Sequence, residues 1–161
     1  ADSFLLSGRP LTVLMHQKFD LIHTSWQQSS AALNAVRRSV FIEEQHVPEA
    51  LEWDGLDASS HHVLVTAAGY GPVGAGRIKP DGHIGRMAVL KEYRGQGIGS
   101  AMLASLLDFA GQQQCAEVYL HAQVAAITFY EKQGFTVDGE QFMDAGIPHR
   151  RMVKRLVVQG R

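Results

Sequence analysis

Residues 84–109 read IGRMAVLKEYRGQGIGSAMLASLLDF, and the spacing of apolar side chains changes character within that stretch. The segment 84–90 (IGRMAVL) is a short apolar run entered through the turn signal Pro80-Asp81-Gly82, which predicts a strand. From Ile98 the period is helical: Ile98, Met102, Leu106 and Phe109 follow at four, four and three residues, with Leu103 and Leu107 widening the stripe. Between strand and helix lies Arg94-Gly95-Gln96-Gly97-Ile98-Gly99. Glycine lets the main chain approach a ligand and take unusual dihedrals. The first N–H groups of the following helix have no carbonyl partner and attract anions. Arg94 adds a full charge, so the natural guest is a diphosphate.

Two familiar phosphate loops fail on residues. A dinucleotide fingerprint counted from Gly95 requires glycine where Ser100 stands. A nucleotide-hydrolysing P-loop requires Gly-Lys-Ser/Thr, and there is no lysine between Glu92 and Glu131.

Upstream of this stretch, 19–26 (FDLIHTSW) predicts a first strand. Ser29 or Ser30 would cap a helix carrying Leu33, Val36, Val40 and Phe41 on one face and stopped by Pro48. Strands follow at 62–68 (HVLVTAA) and 73–79, with Gly69, Gly71 and Gly74 marking the turn between them. Downstream, 117–122 (EVYLHA) alternates, a short helix over 125–133 ends at Gly134, and 135–142 with 149–158 predict a closing hairpin. Antiparallel strands come first and a strand–helix alternation second. That order predicts one α/β (α+β) domain: a mixed, mostly antiparallel central sheet with helices on both faces.

Composition narrows the function. With 161 residues, 45% apolar and 19% charged, the chain suits a single packed domain. We take 1–14 as an N-terminal extension, Met15 as a candidate start and 15–161 as the domain. A net charge of −1 excludes a general nucleic-acid binder. The chain contains no apolar run long enough to span a membrane, and its lone Cys115 suits a reducing cytoplasm, most simply as a packing residue.

The residues at 94–99 resemble the Arg/Gln-x-x-Gly-x-Gly/Ala signature of the GNAT superfamily of N-acetyltransferases, matched by Arg94, Gly97 and Gly99. The stretch AITFYEKQGF is similar to that family's last conserved block through Ala126, Tyr130, Glu131, Gly134 and Phe135. The resemblance implies transfer of acetyl from acetyl-CoA to a primary amine of a small molecule or peptide. It places the diphosphate on the N–H groups of Gly95, Gln96, Gly97, Gly99 and Ser100 beside Arg94, and the pantetheine amides along Met87 and Val89. Tyr130 takes the place of the acid that protonates the departing thiolate. Gln123 stands where the family often has an asparagine that holds the cofactor.

An amine of pKa about 10.4 must lose a proton before it attacks, so a base is also needed. Candidates are Glu44, after the first helix, and His121, on the strand that opens away. No metal is expected, because no histidine pair has HExxH spacing and a single cysteine makes no thiolate site. The acidic stretch Glu49, Glu52, Asp54 and Asp57 is expected to be a hydrated loop. The histidines His61 and His62 are expected at a solvated strand edge, and the basic run Arg150, Arg151, Lys154 and Arg155 on a protected sheet edge. In this superfamily strands near the C-terminus often meet across a homodimer. A second reading keeps the fold but not the turnover: an acyl-CoA-binding sensor or partner switch.

Overall fold

The computed structural model describes residues 18–157, so the extension at 1–14 and the candidate start at Met15 lie outside the described residues. The elements are β1 (Phe19–Thr24), α1 (Trp26–Arg37), a π-helical turn (Arg38–Glu44), α2 (Glu49–Glu52), β2 (His61–Ala67), β3 (Gly71–Ile78), β4 (Ile84–Val89), α3 (Ile98–Gln112), β5 (Glu117–Gln123), α4 (Ile127–Lys132), β6 (Thr136–Val137), β7 (Phe142–Asp144) and β8 (Ile147–Arg155). None of the described helices is long and apolar enough to cross a membrane.

Strands β1–β4 form an antiparallel meander, and β5, β8 and β6 form a second antiparallel sheet, with β7 on β8. One parallel bridge, His83 to Tyr119, joins the two sheets. Beyond it β4 and β5 diverge, while β5 stays paired along its other edge with β8, from Glu117↔Arg155 to Gln123↔His149.

β3 shows why helices cover both faces. A Cβ on Gly74 would lie 3.1 Å from Ile98 and Met102 of α3, so the missing side chain is what lets that helix approach. On the opposite face Arg77 shares the Asp57 carboxylate with Arg37 of α1. Leu33 and Val36 of α1 and Met102, Leu103 and Leu106 of α3 are fully buried, as the helical stripes require.

Several expectations need correction. Helix α1 begins earlier than foreseen: the Ser25 side chain accepts from the Gln28 N–H at 3.2 Å, so the strand ends at Thr24. Ser29, instead of capping, sits at a non-helical φ of −132° inside the helix, with its hydroxyl 2.6 Å from that of Thr24. The helix does not run regularly to Pro48. It widens into the π-turn, closed by Gln45 N–H to the Val40 carbonyl (3.0 Å) and Val47 N–H to the Phe41 carbonyl (2.8 Å). The closing hairpin is β7–β8, turning through Ala145 and Gly146, whereas β6 is only two residues long. β8 lies between β5 and β6/β7, so its basic residues are not on a free edge; Arg150 donates to the Gly139 carbonyl, Lys154 to that of Gln133, and Arg151 pairs with Asp138.

Candidate active site

The divergence of β4 and β5 opens a cavity of about 900 Å³, which runs from the glycine loop to the β7–β8 hairpin. That is within the size range of pockets that enclose an extended small molecule.

At one end stands the start of α3. Gly95 and Gly97 have φ of +78° and +86°, in the left-handed region that disfavours a side chain. The first helical bond runs from Ala101 N–H to the Gly97 carbonyl (3.0 Å), so the N–H groups of Ile98, Gly99 and Ser100 have no carbonyl one turn back. Gly95, Gly97, Gly99 and Ser100 line the cavity; Gln96 does not. At Gly99 an added Cβ would meet Phe129 at 3.5 Å, ordinary contact, so this glycine is not sterically forced.

Arg94 spans the loop. Its Nε donates to the Val89 carbonyl at 2.8 Å, and its two terminal nitrogens grip both oxygens of Glu44 at 2.8 and 2.7 Å. The pair couples the π-turn to the glycine loop. It also holds the Glu44 carboxyl below its ordinary value, chiefly through the Arg94 hydrogen bonds. Glu44 therefore reads as the counter-ion of Arg94. Met87 and Val89 line the same wall on β4. Gln123, at the end of β5, donates to the Gln45 side-chain oxygen at 3.0 Å, tying the far wall to the π-turn.

Tyr130 lies in α4 midway along the cavity, its ring edge-on to Phe129 and Phe135. Burial among these rings pushes its phenol up to about 12, so it keeps its proton at neutral pH.

The opposite end carries His83, His121 and His149. His83 and His121 stand with ring centroids 4.7 Å apart. Burial pushes His83 down to about 4 and lowers His121 below its ordinary value, so both are neutral at pH 7. His149 was not foreseen as a site residue. It reaches the cavity from β8, stacks on Phe142, and its Nδ1 donates to the Ile147 carbonyl at 2.7 Å, which leaves the neutral ring's lone pair on Nε2. A histidine next to Pro148 in a hairpin gives no periodic signal; only the β5–β8 register, His149 opposite Gln123, brings it to the site.

The expected hydrated acidic loop holds for Glu49 and Asp54, which are exposed, but Glu52 and Asp57 belong to a buried ion cluster beside this end. Glu52 and Asp57 are 3% and 6% exposed. Arg37, itself 1% exposed, donates from Nε to Glu52 at 2.9 Å and from Nη1 to Asp57 at 2.7 Å, while Arg77 bridges Asp57 and Asp54 and Arg86 lies 3.3 Å from both Glu52 and Asp54. Trp26 and Trp53 cover the Arg37 guanidinium at 5.6 and 5.1 Å. The sequence missed this because its partners, 15 to 20 residues apart, have no local periodicity. The histidines at 61 and 62 are likewise not a solvated pair. His62 is 1% exposed and bonded to the Asp57 carbonyl at 2.9 Å, and His61 stacks on Phe109. Cys115 packs against the core with its thiol toward the Glu117 carbonyl at 3.1 Å.

Comparison with known proteins agrees with this geometry. Residues 24–156 match the model of the acetyltransferase (GNAT) domain. YjcF of Bacillus subtilis, named an N-acetyltransferase, is 42% identical over 123 residues, covering 74% of this chain and 87% of that one; YyaT of the same organism is 39% identical over 127 residues, covering 75% and 85%. Among solved structures, an acyl-CoA N-acyltransferase from Pseudomonas aeruginosa superposes with a TM-score of 0.76 at 28% identity, over 85% of this chain and 99% of that one. Escherichia coli ElaA superposes with 0.75 at 26% identity, over 84% and 99%. With two thirds and more of its length matched, a glycine loop at the head of α3 and a split between β4 and β5, the chain belongs to the GNAT family of N-acetyltransferases, enzymes of acyl transfer from acyl-CoA.

Proposed function

We propose that the protein transfers acetyl from acetyl-CoA directly to a primary amine of a small molecule or peptide, without an acyl-enzyme intermediate. The observation that carries this reading is the single cavity joining the N–H groups at the head of α3, the phenol of Tyr130 and the histidine end. The free N–H groups at 98–100, with Arg94 beside them, suit a diphosphate. The edge of β4 at Met87 and Val89 suits the amides of an extended arm, added like a strand. The thioester then reaches the level of Tyr130.

Attack by the amine nitrogen on the thioester carbonyl forms the C–N bond, and collapse breaks C–S. The thiolate leaves as the weaker base, and Tyr130, fully protonated at pH 7, supplies its proton. The amine's own proton goes to the histidine end, where His121 and His149 are the acceptors in reach of the cavity. An imidazole nitrogen is a better match to that task than a carboxylate gripped by arginine.

The test is thiol release from acetyl-CoA across a panel of amines, with Tyr130→Phe alongside. The expected result is turnover by the wild type and a fall in kcat of roughly 10²-fold or more in the variant, a typical general-acid contribution, with calorimetric CoA affinity kept. Saturable CoA binding with no transfer to any amine would instead make the protein an acyl-CoA-binding switch.

A further inference from the structure

Arg86 has a backbone that its surroundings must hold in place. Across β3 and β4 the register runs Ala75↔Ala88 and Arg77↔Gly85, so Gly76 alone faces Arg86 and Met87, a β-bulge. Arg86 takes φ of +52° there, the left-handed region, which costs a non-glycine residue on the order of 1–2 kcal/mol. Its Nη2 is fixed by the carbonyls of Glu52 (3.1 Å) and Leu51 (3.4 Å) and by Asp54 (3.3 Å).

The rest of the guanidinium is unspent. Nε is buried and has no hydrogen-bond partner, because Glu52 at 3.3 Å is poorly aligned with it. Among the described residues no hydrogen bond is made by Nη1, although Arg86 lines the cavity. Burial, the largest influence, lowers the Arg86 pKa against the attraction of Glu52 and Asp54.

Position along β4 gives this cation its meaning. On the reading above, the diphosphate sits beyond the C-terminal end of β4 and the pantetheine arm runs back past Val89 and Met87. Arg86 is the next residue, beyond the thioester, and it lines the same cavity as His83 and His121. We propose that the acceptor is an amine carrying a carboxylate, and that Arg86 binds that carboxylate so the amine faces the thioester.

This deepens the acyl-transfer reading and rests on it. The same N–H groups hold a charged carboxylate oxygen about twice as strongly as a neutral acceptor oxygen. Glu52 opposes a second carboxylate, and its Oε2 is shared between Arg37 (2.9 Å) and Arg86 Nε (3.3 Å), which leaves Nη1, without a hydrogen bond among the described residues, for the acceptor.

The experiment uses the wild-type enzyme, acetyl-CoA and matched acceptors: α-, β- and γ-aminocarboxylates, their carboxamides, the corresponding amines without the acid group, and aminophosphonates. The best aminocarboxylate is expected to exceed its carboxamide in kcat/KM by roughly 3- to 30-fold. Arg86→Gln should bring that ratio to about one, and Arg86→Lys, which keeps charge but not the fork, should fall between. The comparison within the wild type stands even if a variant fails to fold. A carboxamide or simple amine used as well as the aminocarboxylate overturns the proposal, as does a preference for the phosphonate. Transfer without carboxylate preference defeats this inference alone; no transfer to any acceptor defeats the acyl-transfer reading and this one with it.

Discussion

Replacing Glu44 by glutamine separates two roles that sequence alone cannot distinguish, catalytic base and counter-ion of Arg94. The amide keeps the shape and one acceptor oxygen but loses the charge. Both partners are well exposed, 41% for Arg94 and 36% for Glu44, so the pair stabilises the fold by about 0–1 kcal/mol despite its two-pronged geometry. A carboxylate near pKa 4.3 and an ammonium near 10.4 differ by about 6 units, so proton transfer between them is uphill by ~8 kcal/mol. The Arg94 hydrogen bonds widen that gap by lowering Glu44 further. A free imidazole, near 6.5, narrows the gap to about 4 units, ~5 kcal/mol, and the burial that lowers His121 gives back part of that advantage. Removing the charge should also ease an anionic cofactor onto the loop by roughly 0.5–1 kcal/mol, a two- to fivefold lower KM for acetyl-CoA. We therefore expect Glu44→Gln to change kcat by less than about fivefold while tightening acetyl-CoA, the gain shrinking as salt is added. Steady-state thiol release at low and high ionic strength, with each substrate varied, measures this. A loss of kcat of ~10²-fold or more, with unchanged KM for acetyl-CoA, would refute the reasoning and restore Glu44 as base.

Asp57→Ala strips the shared carboxylate from Arg37 and Arg77, which are 1% and 3% exposed. Arg37 keeps Glu52 and Arg77 keeps Asp54, but two buried cations are then left with one carboxylate fewer, which should cost about 3–5 kcal/mol, a fall in Tm of roughly 6–20 °C, and a loss below about 1 kcal/mol in urea unfolding would show the cluster to be solvated. Acid should destabilise the wild type in two stages. His62 and His83 have folded pKa values depressed by burial, so below 6.5 the unfolded chain takes protons the fold refuses, and stability declines from pH 6.5 toward the folded value of about 4 for His83. Asp54 and Asp57 are depressed by their arginines against the opposing effect of burial, so their contribution is full above the ordinary carboxylate value of 3.8 and is lost as pH falls through the folded values. A urea midpoint flat from pH 7 down to 5 would contradict the histidine part.

What could be read from sequence was whatever is local. Helix α3 and its loop repeat within one turn, so Ile98, Met102 and Leu106 announce the buried face and Gly95 and Gly97 the sharp entry. Tyr130 is singled out by its block, and the structure places it in the cavity wall. The cap at Ser25 was missed because Ser29 and Ser30 offer the same chemistry a turn later, and only the hydroxyl contact with Thr24 shows Ser29 otherwise engaged. The ion cluster and His149 were illegible for a different reason. Acidic residues near a proline and a tryptophan look like a surface loop until α1, β3 and β4 bring three guanidiniums to them, and charge pairing across such separations leaves no periodic trace. The bulge at Arg86 was equally hidden, since IGRMAVL reads as an ordinary strand.

The topology suits the proposed binding of an amide-bearing arm. Because β4 and β5 part after the His83 bridge, the edge of β4 beyond it has no strand partner among the described residues. An unpaired strand edge carries N–H and C=O groups that must be satisfied by water, side chain or ligand. Arg94 already takes the Val89 carbonyl, so the protein spends one side chain on that edge at the point nearest the glycine loop. At the other end of β4 the Arg86 bulge turns the edge out of register, which ends any strand-like pairing there. The segment between these two arginines is short, about the reach of two amide groups at 3.3 Å per residue. A ligand added to it is therefore measured at both ends, by a cation that marks the anionic head and by a cation beyond its reacting tip.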